Sequence, residues 1–245
     1  MKLTRFFEPR QFLCTKNFVD RMNYTFQFGV ALESLPALLK ASILTVELSF
    51  FAFWGGALIG LAGAAAKTFG GRIIRNLAQM YVVFFTNTPA LLQIYFLYYG
   101  LPEVGILLPS FTCVLLGLTL NAGAYLTEIQ RAGFLSVRLT ELEAAETLGM
   151  SLFQQIRFVI VPHIAKTIFP PLSNFFIILV LGSSMAAIFS IDELTGTAIN
   201  ISTETYRWLE MFTLVAGVYI VLTFIASLML ILVGRYFFRV KARMF

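Results

Sequence analysis

Charge is scarce in this sequence. Only 13% of its 245 residues are Asp, Glu, Lys or Arg, whereas a soluble domain carries about a quarter. A water-facing surface of ordinary composition is excluded. Histidine and cysteine are scarcer still. One histidine and two cysteines, Cys14 in a polar N-terminal stretch and Cys113 inside an apolar run, give neither a disulfide framework nor metal-ligand spacing. There is no His-Glu-x-x-His, no Ser/His/Asp spacing and no Cys/His cluster, so enzymatic chemistry has no residues to act through. The formal charge of +5 does not point to nucleic acid, because the basic residues fall at the ends of apolar stretches rather than in one patch.

What is there is apolar. Hydrophobic residues make up 58% of the chain and the mean hydropathy is +0.82. A membrane helix needs ~20 mainly apolar residues to cross ~30 Å of hydrocarbon. Five stretches qualify: 37–66, 77–101, 104–128, 164–189 and 208–238. The expected fold is an all-α membrane protein with five transmembrane helices. Its membrane domain covers 23–240, with a tail of no readable role at 1–22 and a cytoplasmic end at 241–245. Residues 1–36 lack the apolar core of a cleavable signal peptide, so the first span is expected to direct insertion. No internal repeat or low-complexity tract is present.

Lys and Arg near span ends set the orientation. Lys67, Arg72 and Arg75, then Arg131, Arg138 and Arg157, then Arg235, Arg239, Lys241 and Arg243 all flank one set of ends. The opposite loops hold no Lys or Arg between spans two and three, and only Arg207 between four and five. The basic residues of the tail lie mostly far from the first span. The N-terminus is therefore expected outside, and the C-terminus and the loop at about 133–162 in the cytoplasm.

That loop interrupts the apolar chain with Glu141, Glu143, Glu146 and Arg157. Thr140 with Glu143, and Ser151 with Gln154, each fit a capping box. Gly149 between them suits a left-handed helix end, and Pro162 leads into span four. The first helix is too short to be stable alone. Leu142, Ala145 and Leu148 share a face; Ala144 and Ala145 keep part of the surface flat for another backbone. Docking into a partner's groove and lying on the membrane as a connector both fit these residues.

Glu143-Ala144-Ala145, three residues, Gly149, nine residues, then Val159-Ile160-Val161-Pro162 resembles the EAA motif of ABC-importer permeases, EAA-x3-G-x9-I-x-L-P. Thr86-Asn87-Thr88-Pro89-Ala90-Leu91-Leu92-Gln93 with Tyr98-Tyr99-Gly100-Leu101-Pro102 is similar to the RGTPLLVQ…YYGLP region of the polar amino acid importers. Ala124-Tyr125-Leu126-Thr127-Glu128-Ile129-Gln130-Arg131-Ala132-Gly133 is similar to their AAYxAEIxRGG. Asn174-Phe175-Phe176-Ile177 and Asp192-Glu193-Leu194-Thr195 continue the resemblance, which covers about 24–239. It departs at Thr86-Asn87, where Arg-Gly is usual, and at Phe175, Leu181 and Gly182, where members often carry Glu, Lys and Asp.

The resemblance implies a permease subunit of an ATP-driven importer in a bacterial inner membrane. It implies two ATP-binding subunits that hold ATP and magnesium, a second permease of the same or a related chain, and an extracytoplasmic amino-acid-binding protein. This chain would bind no cofactor of its own. Glu143, Ala144, Ala145, Gly149 and Pro162 would form the coupling loop.

Polar groups inside a span usually face a cavity or another helix. Glu47 is the only acid well inside any of the five stretches, and it has three readings: pairing with Lys40, lining the path, or staying protonated. Thr88 and Pro89 are expected to break span two and free backbone groups for a substrate. Gln93, Asn121, Ser173, Asn174, Ser183 and Ser184 are neutral hydrogen-bonders that either line a path below the break or pack helices together. Glu128 and Arg131, one turn apart, are a candidate gate pair or an ordinary interfacial pair. His163 reads as structural, and Gly56 with Gly60 as a site of close helix packing. Gly63-Ala64-Ala65-Ala66-Lys67-Thr68 lacks the Gly before Lys that a phosphate-binding loop needs. A secondary transporter or channel would need charges along an ion path, and the spans offer essentially Glu47. A membrane enzyme lacks catalytic residues, and a plain anchor would not need a broken span.

Overall fold

A computed structural model describes residues 25–238, and among these there is no β-strand. The first elements are α1 (Phe28–Glu33), α2 (Leu35–Phe69), α3 (Arg72–Thr86) and α4 (Ala90–Tyr95). From α4 the chain runs through a π-helical stretch, Phe96–Gly100, into α5 (Leu101–Glu103). Next come α6 (Ser110–Leu135), α7 (Leu139–Thr147) and α8 (Leu152–Gln155). A second π stretch, Ile156–Ile160, leads into α9 (Val161–Gly182), which ends in a 3₁₀ segment, Ser183–Phe189. Helices α10 (Leu194–Thr205) and α11 (Trp208–Phe238) complete the described chain.

Four helical runs are long and apolar enough to cross a membrane: α2, α6, α11 and the stretch from Leu152 to Phe189. Helix α3 and the run Ala90–Glu103, bent by 101° at Asn87–Pro89, pass the same test only as a pair, the geometry of a broken span or a re-entrant loop. All five expected stretches are helical, with shifted ends; four are single spans and the second is the bent pair. The second begins at Arg72 rather than 77, because Arg72 and Arg75 sit in the exposed first turn of α3. The third begins at Ser110 rather than 104, because Gly105 takes a positive φ of 83° and Pro109 N-caps α6. The fourth begins before 164, since the helix runs continuously from Leu152 into α9.

Both π stretches stand just ahead of a proline, Pro102 and Pro162. Proline has no N–H and its ring crowds the preceding turn, and a widened turn lets the helix continue past it. The closest helix pair is α2 against α6. A Cβ on Gly56 would lie 2.7 Å from Ala122 Cβ, and one on Gly60 2.9 Å from the Leu126 backbone. Only glycine allows that approach. Leu48, Ala52, Val114, Leu118 and Phe189 form the main core beside this contact, and Leu38, Leu194, Met211 and Val215 form a second one.

Candidate functional site

Helix α3 stops at Thr86 and Pro89 carries no N–H, so the carbonyls of Phe84, Phe85 and Thr86 lose their helical donors. Side chains replace them. Thr88 Oγ1 donates to Phe84 O at 2.8 Å. Phe85 O accepts from Gln93 Nε2 at 3.1 Å and from Asn121 Nδ2 at 3.0 Å. Thr86 O accepts from the Tyr125 hydroxyl at 3.4 Å. Asn121 Nδ2 also reaches Gln93 Oε1 at 3.2 Å, and Gln93 Nε2 reaches Thr88 Oγ1 at 2.7 Å. Every carbonyl orphaned by the break is thus satisfied by a named side chain, as low-dielectric surroundings require. The sequence singled out Gln93, Asn121 and Thr88 as path residues; in the structure their donor groups hold the break.

Against the break lies a cavity of about 590 Å³. Thr86, Asn87, Thr88 and Asn121 make its polar end; Phe175, Ile178, Leu179 and Met185 make its apolar wall. Tyr125 and Phe175 meet there with ring centroids 5.7 Å apart, and Gly182 completes the lining. Among the described residues, the N–H groups of Thr88 and Ala90 and the side-chain oxygens of Asn87 and Asn121 are left without partners at the polar end. Thr88, Pro89 and Asn121 therefore line the cavity, and Gln93 supports it from behind.

The other path candidates lie elsewhere. Ser183 and Ser184 bond back to Val180 O and Leu181 O at 2.8 Å, closing the start of the 3₁₀ segment. Asn174 is exposed, and Ser173 Oγ is buried without a partner. Glu47 occupies an exposed face of α2 with Ile43, Phe50 and Trp54. It forms no ion pair with Lys40 among the described residues.

Glu128 and Arg131 do meet, at 3.5 Å, but the stronger partner is Lys67. The Lys67 ammonium is nearly buried and bonds Glu128 Oε1, which ties the end of α2 to the end of α6. Glu128 is therefore a shared carboxylate between two cations. Sequence spacing showed only the pair within one helix. Lys67, which lies 61 positions away, was read as a basic residue at a span end and as part of a false phosphate-binding loop, not as a partner of Glu128.

In the charged loop, α7 begins at Leu139 with extended Arg138 as its N-cap and no side-chain cap bond. This corrects the first expected capping box: the helix starts two residues too early for Thr140 to cap it. The second box forms, with Ser151 and Gln154 each bonding the other's backbone N–H. Gly149 has φ of 73°. Its N–H donates to Glu146 O and the Met150 N–H to Ala145 O, the paired bonds of a Schellman end. Ala145 is 3% exposed, whereas Leu148 is 80% exposed. The expected shared face is split, because Leu148 belongs to the end of the helix. Ala144, Glu143 and Glu146 remain exposed. His163 Nδ1 lies 3.3 Å from Glu141 Oε2, joining α7 to the first turn of α9 near Pro162.

Glu193 entered the sequence reading only within the Asp192-Glu193-Leu194-Thr195 resemblance, with no role given to it. Glu193 is fully buried. Its carboxylate accepts the N–H groups of Thr195 and Gly196 at 2.9 and 3.0 Å, and the hydroxyls of Thr45 and Tyr219 at 3.1 Å. The available signal was its place just before the apolar start of α10, where an acidic N-cap is favoured.

Residues 56–239 match the family described as binding-protein-dependent transport system inner membrane component. The probable amino-acid ABC transporter permease protein YckA of Bacillus subtilis is 33% identical over 83% of this chain and 90% of its own. The glutamine transport system permease protein GlnP of Escherichia coli is 31% identical, over 84% and 94%. The nopaline transport system permease protein NocM of Agrobacterium fabrum is 35% identical, over 82% and 88%. A crystal structure of an amino acid ABC transporter with histidines superposes with a TM-score of 0.80 at 34% identity, covering 87% of this chain and all of that one. The inward-facing methionine ABC transporter MetNI gives 0.65 at 17% identity, over 81% and 95%, a likeness of fold alone.

Proposed function

This chain belongs to the family of binding-protein-dependent transport system inner membrane components, and from that premise we infer how it works as the membrane-spanning permease subunit of an amino acid ABC importer. The exposed α7 surface, Glu143, Ala144 and Glu146, seats in a groove of an ATP-hydrolysing subunit. The Schellman end at Gly149 and the Glu141–His163 contact fix α7 to span four, so a pull on α7 reaches the membrane through one rigid joint. Two permeases, copies of this chain or related ones, line one path. ATP and magnesium reside on the partner subunits. An extracytoplasmic binding protein delivers the amino acid, and the cavity at the break of span two receives it in transit. Closing of the ATPase pair turns the cavity outward; hydrolysis returns it inward.

The observation that carries this reading is the conjunction of a broken, side-chain-stapled span with an exposed helix tied to span four. The test is purification of tagged permease expressed with its partner subunits. An ATPase subunit is expected to travel with it, and its hydrolysis to rise when binding protein and amino acid are added. Uptake that persists without the ATPase and collapses on dissipating the ion gradient would indicate a secondary transporter instead.

A further inference from the structure

We propose that the cavity at the break of span two selects an amino acid with an uncharged, apolar side chain. The inference rests on the reading of that cavity as the substrate's transit site, and it adds which side chain the site accepts. None of the lining residues is Asp, Glu, Lys, Arg or His. The polarity is segregated. Hydrogen-bonding groups with spare capacity, the N–H of Ala90 and the side-chain oxygens of Asn87 and Asn121, gather at the break. Phe175, Ile178, Leu179 and Met185 form the opposite wall.

Every α-amino acid carries an ammonium and a carboxylate on one carbon, and these match the mixed donors and acceptors at the break. The side chain then projects onto the apolar wall. A charged side chain there would lose its hydration with nothing in return. Three carboxylates of the helical spans and their ends do not supply compensation. Glu193 is saturated by four donors. Glu128 is held between Lys67 and Arg131. Glu47 lies on the exposed face of α2, outside the lining. For an acidic side chain the position is the same, because Lys67 is already committed to Glu128. Gly182 sets the size: a Cβ added there would touch only Met185 Cε, at 3.8 Å, so the space beside it is open to a side chain of the substrate.

The test measures direct binding, which separates the permease from the selectivity of its binding protein. The permease–ATPase complex is placed in lipid nanodiscs, and radiolabelled amino acids are titrated by scintillation proximity. Leucine, phenylalanine and methionine are expected to bind at least about tenfold tighter than lysine, arginine and glutamate, because only the latter lose hydration uncompensated. Methionine should exceed glutamine, which has similar length but an amide. Phe175→Glu should bring arginine binding into the range of leucine. Gly182→Leu, which keeps the wall apolar and fills the open space, should weaken phenylalanine more than alanine. Arginine or glutamate binding as tight as leucine to the unaltered complex overturns the assignment while leaving the cavity as a substrate site. Binding of none of the amino acids, in a complex whose ATPase still responds to loaded binding protein, overturns the cavity itself and the assignment with it.

Discussion

Glu193 has no contact with solvent, yet its two oxygens take four hydrogen bonds drawn from α10, from Thr45 of α2 and from Tyr219 of α11. Glu193→Ala removes the N-cap of α10 and takes the acceptor from the buried Thr45 hydroxyl and from the half-buried Tyr219 hydroxyl, which keeps Thr195 as a partner. A lost cap costs roughly 1 kcal/mol and each orphaned buried group about 1–3 kcal/mol. The expected result is a thermal midpoint lowered by several degrees for the purified protein, with Glu193→Gln intermediate because one oxygen survives. Glu47→Gln, on an exposed face without an ion pair, should leave the midpoint unchanged. A Glu193→Ala protein as stable as the parent would show that the cluster is incidental. Single residues were legible by type and much less by role. Thr88, Gln93 and Asn121 stood out as polar groups in apolar runs, but which carbonyls they serve depends on where α3 stops. Glu47 drew notice as an acid in mid-span and came out on the surface. Glu193 and Lys67 act through partners 148 and 61 positions away, a separation that local spacing does not reveal.

Among the elements, the short helix α7 separates two adjacent alanines. Ala145 is buried and its carbonyl accepts the bond that closes the helix end, while Ala144 faces outward. A carboxylate at 145 would disturb the loop itself; one at 144 would disturb only what docks there. Ala144→Glu is therefore expected to leave the subunit in the membrane at near-normal abundance and to abolish uptake, because an unpaired charge in a docked groove costs about 2–5 kcal/mol. Ala145→Glu should also lose abundance. Gly149→Asp, forced to φ of 73°, should weaken the helix end and uncouple hydrolysis from substrate. Val159→Ile serves as the neutral control. Membrane immunoblots, uptake and ATPase co-purification read all four; normal transport by Ala144→Glu would make α7 a mere connector. The existence and ends of α7 were readable from Gly149 and Ser151, whose preferences are local. The split of its apolar face was not, because burial of Ala145 depends on how the following turn folds back.

At the scale of the whole molecule, five apolar stretches predicted five crossings; four are single helices of the ~20 residues that a bilayer demands, and the second stretch is a bent pair. The 101° bend in the second was foreshadowed by Thr88-Pro89, whereas its angle comes from the side chains that hold the freed carbonyls. The two ends of the bundle are chemically distinct. Lys67, Glu128 and Arg131 join α2 and α6 at one end, while Glu193 joins α10 to α2 and α11 toward the other. Helix α7 follows α6 directly and so lies beyond the Lys67 end; α10 lies at the opposite one. The basic residues flank the α7 end, and positive loops stay in the cytoplasm. A single cysteine at Glu146 is therefore expected to react with an impermeant maleimide only after cells are opened. One at Thr203, exposed on α10, should react in intact cells. Cys14 and Cys113 are replaced beforehand so that each chain has one thiol. Labelling of residue 146 from outside would invert the molecule. It would also put α7 on the side where no ATP-hydrolysing partner could reach it, so this one measurement tests orientation and coupling together.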